Sequence, residues 1–281
     1  MDGPFQILVV ATMLTFTKAN SRMLKSSCIL IRDTYYEKEL LNNNVYLPYQ
    51  LSIDYSINTL FFTYTGKSTT SEDLLSLSYK VAFLDLETKY LGHVNDVNGG
   101  FATAVDNING SVYIGGANGI YLLSKEWVTA RNLDVIDLNI FQMFYRDGLY
   151  FTIFPEEEVF LYQDKKVWEI PEFYVKDKVK MFAVKKDGVF VFSNSSGLYS
   201  YNETTRAVLK CGNYTVTGFT SDASNNLYFS TLNSIYYFGD SIEELANLGD
   251  LFGLAIAKNG DFIYALKDSI YRLKPNKDKC G

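Results

Sequence analysis

Apolar and polar positions along this chain alternate in short runs broken by turn-forming pairs, and the pattern returns six times, over residues 49–65, 101–123, 141–162, 182–201, 219–238 and 252–273. Each repeat carries an apolar strand, a tight polar turn and a second, aromatic-rich strand, usually followed by a further turn and strand. Asn109-Gly110, Asp147-Gly148, Asp187-Gly188 and Asn259-Gly260 are hairpin signals, because Gly, Asn and Asp tolerate the positive φ that such turns need. The first apolar residues after the turns are Leu60, Val112, Leu149, Val189, Leu227 and Phe262, spaced by 52, 37, 40, 38 and 35 residues. Short strands repeating at about 40 residues predict an all-β, six-bladed propeller. A β-sandwich would not repeat so evenly. The long first gap holds a polar insertion, residues 66–73, expected as an exposed loop. Only residues 241–248 read as a helical turn, with Ser241 as N-cap ahead of Glu243 and Glu244.

The last repeat supplies three strands, LAIAK, DFIYAL and SIYRL. The fourth is expected from the other end of the chain, from residues 28–32 and their sequel, which would remove the free edge and close the ring. Cys28 opens that segment and Cys280 follows the third strand of the same blade. A Cys28–Cys280 disulfide is therefore predicted in place of the missing hairpin turn, worth about 3–5 kcal/mol in the chain-entropy account. Cys211 is left over, either as a buried free thiol or as an intermolecular bridge.

Composition then sets the class. Hydrophobic residues make up 47% and aromatic residues 16% of the 281, enough to fill a sizeable core. The net charge of −6 comes without a Lys/Arg cluster, so the basic face that nucleic acid requires is missing. Residues 5–16 are almost wholly apolar, and Thr17-Lys18-Ala19 follows with small residues at the right offsets for a signal-peptidase site. A signal peptide over 1–19, with cleavage between 19 and 21, and a single mature domain over 22–281 are expected. The apolar run is too short to span a bilayer, and no later run is longer. The protein is thus expected to be secreted, disulfide-bonded and monomeric. Sequons at Asn109, Asn194, Asn202 and Asn213, all near turns, are candidate N-glycosylation sites.

Candidate chemistry is sparse. Asp54, Asp106 and Asp222 stand at inner-strand ends, but their counterparts in other repeats are Tyr145, Lys185 and Ala257. That is an uneven cage for Ca²⁺, which takes 6–8 oxygens, and the aspartates are read as caps of strand ends and turns. His93 is the one histidine; it cannot alone make a zinc site and is expected on an outer strand or the surface. Glu156-Glu157-Glu158 reads as a solvated turn. Nucleophile-elbow, Walker and Rossmann motifs are absent, so neither catalysis nor a cofactor is expected. An aromatic heads each innermost strand: Tyr49, Phe101, Phe141, Phe182, Phe219 and Phe252. Two readings stand: packing between blades, or a ring that stacks on a flat aromatic ligand near one mouth of the channel. Gln50, Thr103, Gln142 and Thr220 alternate with them as hydrogen-bonding candidates. Trp127 and Trp168 are placed on outer strands or loops.

GFATAVDNINGSVYIGGANGIY (100–121), IFQMFYRDGLYFTIFPEEEVFLY (140–162) and MFAVKKDGVFVFSNSSGLYSY (181–201), with the opening CILI…LPYQLSIDYSINTLFFTY, resemble the insect ommochrome-binding proteins. The resemblance spans essentially the whole mature chain. It implies a secreted haemolymph protein that carries a flat, carboxylate-bearing pigment without catalysis, and it brings no ligand contacts residue by residue. Aromatic faces would stack on such a pigment, and Arg146, Lys180 or Lys185 would pair its acid groups. Two other classes stay open: a Ca²⁺-dependent propeller lactonase or esterase, and an extracellular protein-interaction propeller.

Overall fold

A computed structural model describes residues 28–65, 79–124, 126, 128–170, 178–202 and 204–276. The expected signal peptide, the insertion at 66–73, Trp127 and Cys280 lie outside the described residues. These form 25 strands in six sheets, without a helix among them. The chain enters through β1 (Ile29–Ile31) and β2 (Thr34–Asn42). Blade one is β3 (Tyr46–Asp54), β4 (Thr59–Thr65), β5 (Tyr79–Asp85) and β6 (Leu91–Val94). Blade two is β7 (Ala102–Asp106), β8 (Ser111–Gly116), β9 (Gly119–Leu123) and β10 (Ala130–Asn132). Blade three is β11 (Ile140–Tyr145), β12 (Leu149–Ile153), β13 (Val159–Gln163) and β14 (Lys166–Glu169). Blade four is β15 (Met181–Val184), β16 (Phe190–Asn194), β17 (Gly197–Asn202) and β18 (Ala207–Gly212). Blade five is β19 (Gly218–Ser221), β20 (Leu227–Ser230), β21 (Ser234–Phe238) and β22 (Ile242–Asn247). Blade six is β23 (Gly253–Ile256), β24 (Phe262–Leu266) and β25 (Ser269–Asn276), extended by β2 and β1. The innermost strands β3, β7, β11, β15, β19 and β23 are neighbours in that order, and β23 returns to β3. This is a six-bladed β-propeller, the first two strands of its blades joined by the predicted turns, with φ of 67° at Gly110 and 79° at Gly188.

Apolar faces of adjacent blades bury each other. Phe182, Phe192 and Phe229, all fully buried, belong to one continuous cluster that runs from blade three, through Phe144 and Val159, across blade four to blade five. Polar clasps cross the seams. Thr103 Oγ1 donates to Gln50 O at 2.6 Å, and Gln142 Nε2 donates to Phe182 O at 3.0 Å while its Oε1 accepts from Phe182 N at 3.1 Å.

Two expectations are corrected here. The segment at 241–248 is not a helical turn: β22 pairs with β21, and a bulge at Ile235/Tyr236 lets the consecutive residues Leu245 and Ala246 both face inward. Two adjacent apolar residues thus mimic helical spacing inside a strand. The strand that completes blade six is also further along than expected. β2 makes the long antiparallel pairing with β25, from Tyr35↔Asn276 to Asn42↔Ile270, and residues 29–31 form a fifth, outermost strand. His93 lies exposed on β6, its Nδ1 2.8 Å from the Tyr64 hydroxyl. Cys211 is a free, half-buried thiol.

Ring closure is electrostatic as well as β-paired. Glu39 on β2 meets Arg272 Nε at 2.8 Å, Lys274 at 3.1 Å and, across the seam in blade one, Lys89 at 3.0 Å. Burial acts to raise the Glu39 carboxyl, but the hydrogen bonds from Lys89, Lys274 and Arg272 outweigh it and hold it at about 2. A depressed folded-state pKa contributes stability above the ordinary carboxylate value, which is lost as pH falls from about 4.5 through about 2. Glu39→Gln is expected to cost about 2 kcal/mol at pH 7, discounted for partial exposure, and almost nothing at pH 2. Urea unfolding at both pH values checks this; an equal cost at both would remove the ionic account.

Candidate functional site

The strand-head aromatics can be compared by counting back from the residue paired across each inner hairpin. Tyr49, Phe101, Phe141 and Phe252 stand four residues before Ile53, Val105, Tyr145 and Ile256, whereas Phe182 and Phe219 stand two before Val184 and Ser221. The six positions are therefore not equivalent, contrary to the expectation from the repeats. Phe182 is fully buried in the interblade core. Tyr49 packs edge-on to Tyr79, which also packs against Phe101 at 4.4 Å. Phe141 lies against Phe154, and Phe252 packs on the apolar layer between blades six and one. Only Phe219 of the six lines the cavity described next.

That cavity, of about 410 Å³, opens at the other end of the inner strands, where they run into their hairpin turns. Its wall takes Ser52 and Tyr55 from blade one, Thr103 and Asp106 from blade two, Met143 to Asp147 from blade three, Phe219 to Asp222 from blade five, and Ile256 with Lys258 from blade six. Tyr55 leaves the turn after β3 and crosses the channel. Its hydroxyl lies 3.0 Å from Ile256 O and 3.2 Å from Ser221 O, and burial pushes that hydroxyl up to about 12.

The aspartates of the inner turns are engaged locally. Asp54 Oδ1 accepts from Ser56 N and Oγ. Asp106 accepts from Ile108 N, Asn109 N, Asn109 Nδ2 and the Tyr145 hydroxyl. Burial acts to raise Asp106, and those bonds outweigh it, so the carboxyl sits below its ordinary value. Asp222 accepts from Ser224 N, Asn226 N, Asn226 Nδ2 and the Tyr228 hydroxyl. Among the described residues no group of three or more His, Cys, Asp or Glu is placed to hold a metal ion.

Arg146 is different. It occupies the position one past the paired hairpin residue where blades one, two and five carry Asp54, Asp106 and Asp222. It is 9% exposed, lines the cavity, and its Nε and Nη2 are enclosed without a hydrogen-bond acceptor among the described residues. Burial lowers its pKa, opposed by the charges of Asp147 and Asp222. Of the other sequence candidates, Thr103 and Thr220 also line the cavity, whereas Lys185, Lys180 and Gln142 are committed elsewhere. Lys185 pairs with Asp187 at 3.2 Å and lies over the Phe238 ring, Lys180 is exposed ahead of β15, and Gln142 is 2% exposed with its amide bonded to backbone. At the same position blade four carries Lys185 and blade six Ala257, so the sequence shows two basic counterparts to the aspartates, and only burial sets Arg146 apart from Lys185. Tyr55 carries no comparable signal, because its role depends on how far its ring reaches across the channel.

Comparison with known proteins agrees with the resemblance. No family model matches the chain. A curated relative, "Ommochrome-binding protein" from Manduca sexta, is 35% identical over 269 residues, covering 93% of this chain and 95% of its own length. Solved structures share the fold at low identity. A gluconolactonase from Xanthomonas campestris aligns with a TM-score of 0.68 at 12% identity, covering 89% of this chain and 95% of its own. A putative gluconolactonase aligns with a TM-score of 0.67 at 11% identity, covering 88% and 98%.

Proposed function

This chain belongs to the ommochrome-binding protein family, and on that premise we propose that it is a secreted carrier that binds an ommochrome-type pigment in the channel mouth at the turn end of the inner strands. The observation that carries the reading is the cavity of about 410 Å³, walled by Tyr55, Phe144, Tyr145 and Phe219 and floored by Arg146. Its size falls within the ordinary range for small-molecule sites, and its mixture of ring faces and polar groups suits a flat, acidic chromophore. Of the strand-head aromatics only Phe219 belongs to this site. The role is binding without catalysis: Asp106 and Asp222 are bound into their own turns, which leaves them poorly placed as bases or metal ligands. The lactonase neighbours support the shared fold alone, at 11–12% identity.

Secretion belongs to the same proposal: removal of residues 1–19, a Cys28–Cys280 bond beside the closing strands, glycans on Asn109, Asn202 and Asn213, and carriage in haemolymph. Asn194 is left out because it is 7% exposed with its amide nitrogen enclosed. N-terminal sequencing and non-reducing peptide mapping of the released protein test those points.

Equilibrium dialysis against xanthommatin, with visible spectra of the bound fraction, tests the central reading. Saturable one-to-one binding with a shifted absorption band is expected. No binding at high micromolar pigment would remove the ligand assignment, and metal analysis with a lactone hydrolysis assay would then test the enzymatic alternative.

A further inference from the structure

A guanidinium that is nine-tenths buried, with two donors lacking acceptors, is costly unless something anionic completes it. Here it faces a cavity open to small molecules. Planar, bidentate recognition of a carboxylate is what such a fork does best. A ligand that is only anionic would also meet Asp147, adjacent in sequence and also lining the cavity. Asp147 sits at the exposed tip of the β11–β12 hairpin with φ of 54°. Unlike Asp106 and Asp222, its carboxylate takes no hydrogen bond among the described residues. The chemistry that satisfies both neighbours carries a carboxylate and an ammonium one carbon apart.

Resting on the pigment reading, we propose that the channel mouth is a receptor for the α-amino acid headgroup of an aromatic ligand, its carboxylate on Arg146 and its ammonium on Asp147. The aromatic part then lies against Tyr55, Phe144 and Phe219, and the site also takes smaller aromatic α-amino acids than a pigment. The buried cation sets affinity for the acid group, and the half-solvated carboxylate adds discrimination for the amine.

Calorimetric titration of the intact secreted protein with L-kynurenine, its methyl ester and its N-acetyl derivative tests this, with xanthommatin titrated in parallel. Kynurenine is expected to bind saturably, and the ester and the N-acetyl compound each at least about tenfold more weakly. Arg146→Met should weaken kynurenine by about thirtyfold or more and abolish the preference for acid over ester. Asp147→Asn should abolish the preference for the free amine, at a loss of about fivefold. Lys185→Gln, outside the cavity, should leave all affinities unchanged. Removing an unpaired buried charge should leave Arg146→Met as stable as the wild type or more so, which a thermal melt checks. Equal binding of acid and ester, or wild-type affinity in Arg146→Met, overturns the proposal. Xanthommatin binding without kynurenine binding also overturns it and leaves the pigment reading standing. Kynurenine binding with the expected preferences, but without xanthommatin binding, upholds the headgroup site and removes the pigment.

Discussion

Phe182→Ala is expected to destabilise the protein by about 4 kcal/mol, the usual cost of emptying a phenylalanine site in a core that cannot collapse. The ring is fully buried, 5.5 Å from both Tyr150 and Phe190, so blades three and four meet across it. A propeller blade cannot slide inward to fill the gap, because its inner strand is held in the ring by neighbours on both sides. Chemical denaturation measures the loss. The folded fraction of the variant should bind ligand with wild-type affinity, since Phe182 lies outside the channel-mouth cavity. A cost under about 1 kcal/mol together with lost binding would make Phe182 a ligand contact after all.

Gln142→Ala is the second large effect, about 3 kcal/mol. The side-chain amide supplies Phe182 with both an acceptor for its N–H and a donor for its C=O, and also donates to Met143 O at 3.0 Å. With the residue 2% exposed, truncation strands those backbone groups away from water. Gln142 and Phe182 share one seam, so the double variant should lose less than the sum of the two singles. A double-mutant cycle measures that coupling. Strict additivity would mean that the clasp and the ring act independently.

Much of the fold was legible because its turns and strands are local. Dipeptides such as Asp187-Gly188 fix where hairpins reverse, and period-two alternation fixes which face is buried, so the six blades and the missing fourth strand of the last one follow from the sequence. The closing strand was misplaced by a few residues for a reason of the same kind. Residues 28–32 and 34–42 are both strand-forming, and only the pairing register with β25 decides which lies inside. The site was less legible. Aromatics at strand heads look alike in sequence, yet Phe182 and Phe219 stand two residues closer to their hairpin turns than the other four, and of the six only Phe219 lines the cavity. Arg146 was visible as a residue but not as a buried, unpaired cation, because burial is a property of five blades converging on one mouth.

The most direct test of the account is a crystal structure of the protein soaked with xanthommatin. The account predicts pigment rings in the mouth between Tyr55, Phe144 and Phe219 with a carboxylate on Arg146. Pigment bound at the opposite end of the channel, beside Tyr49 and Phe101, would contradict it.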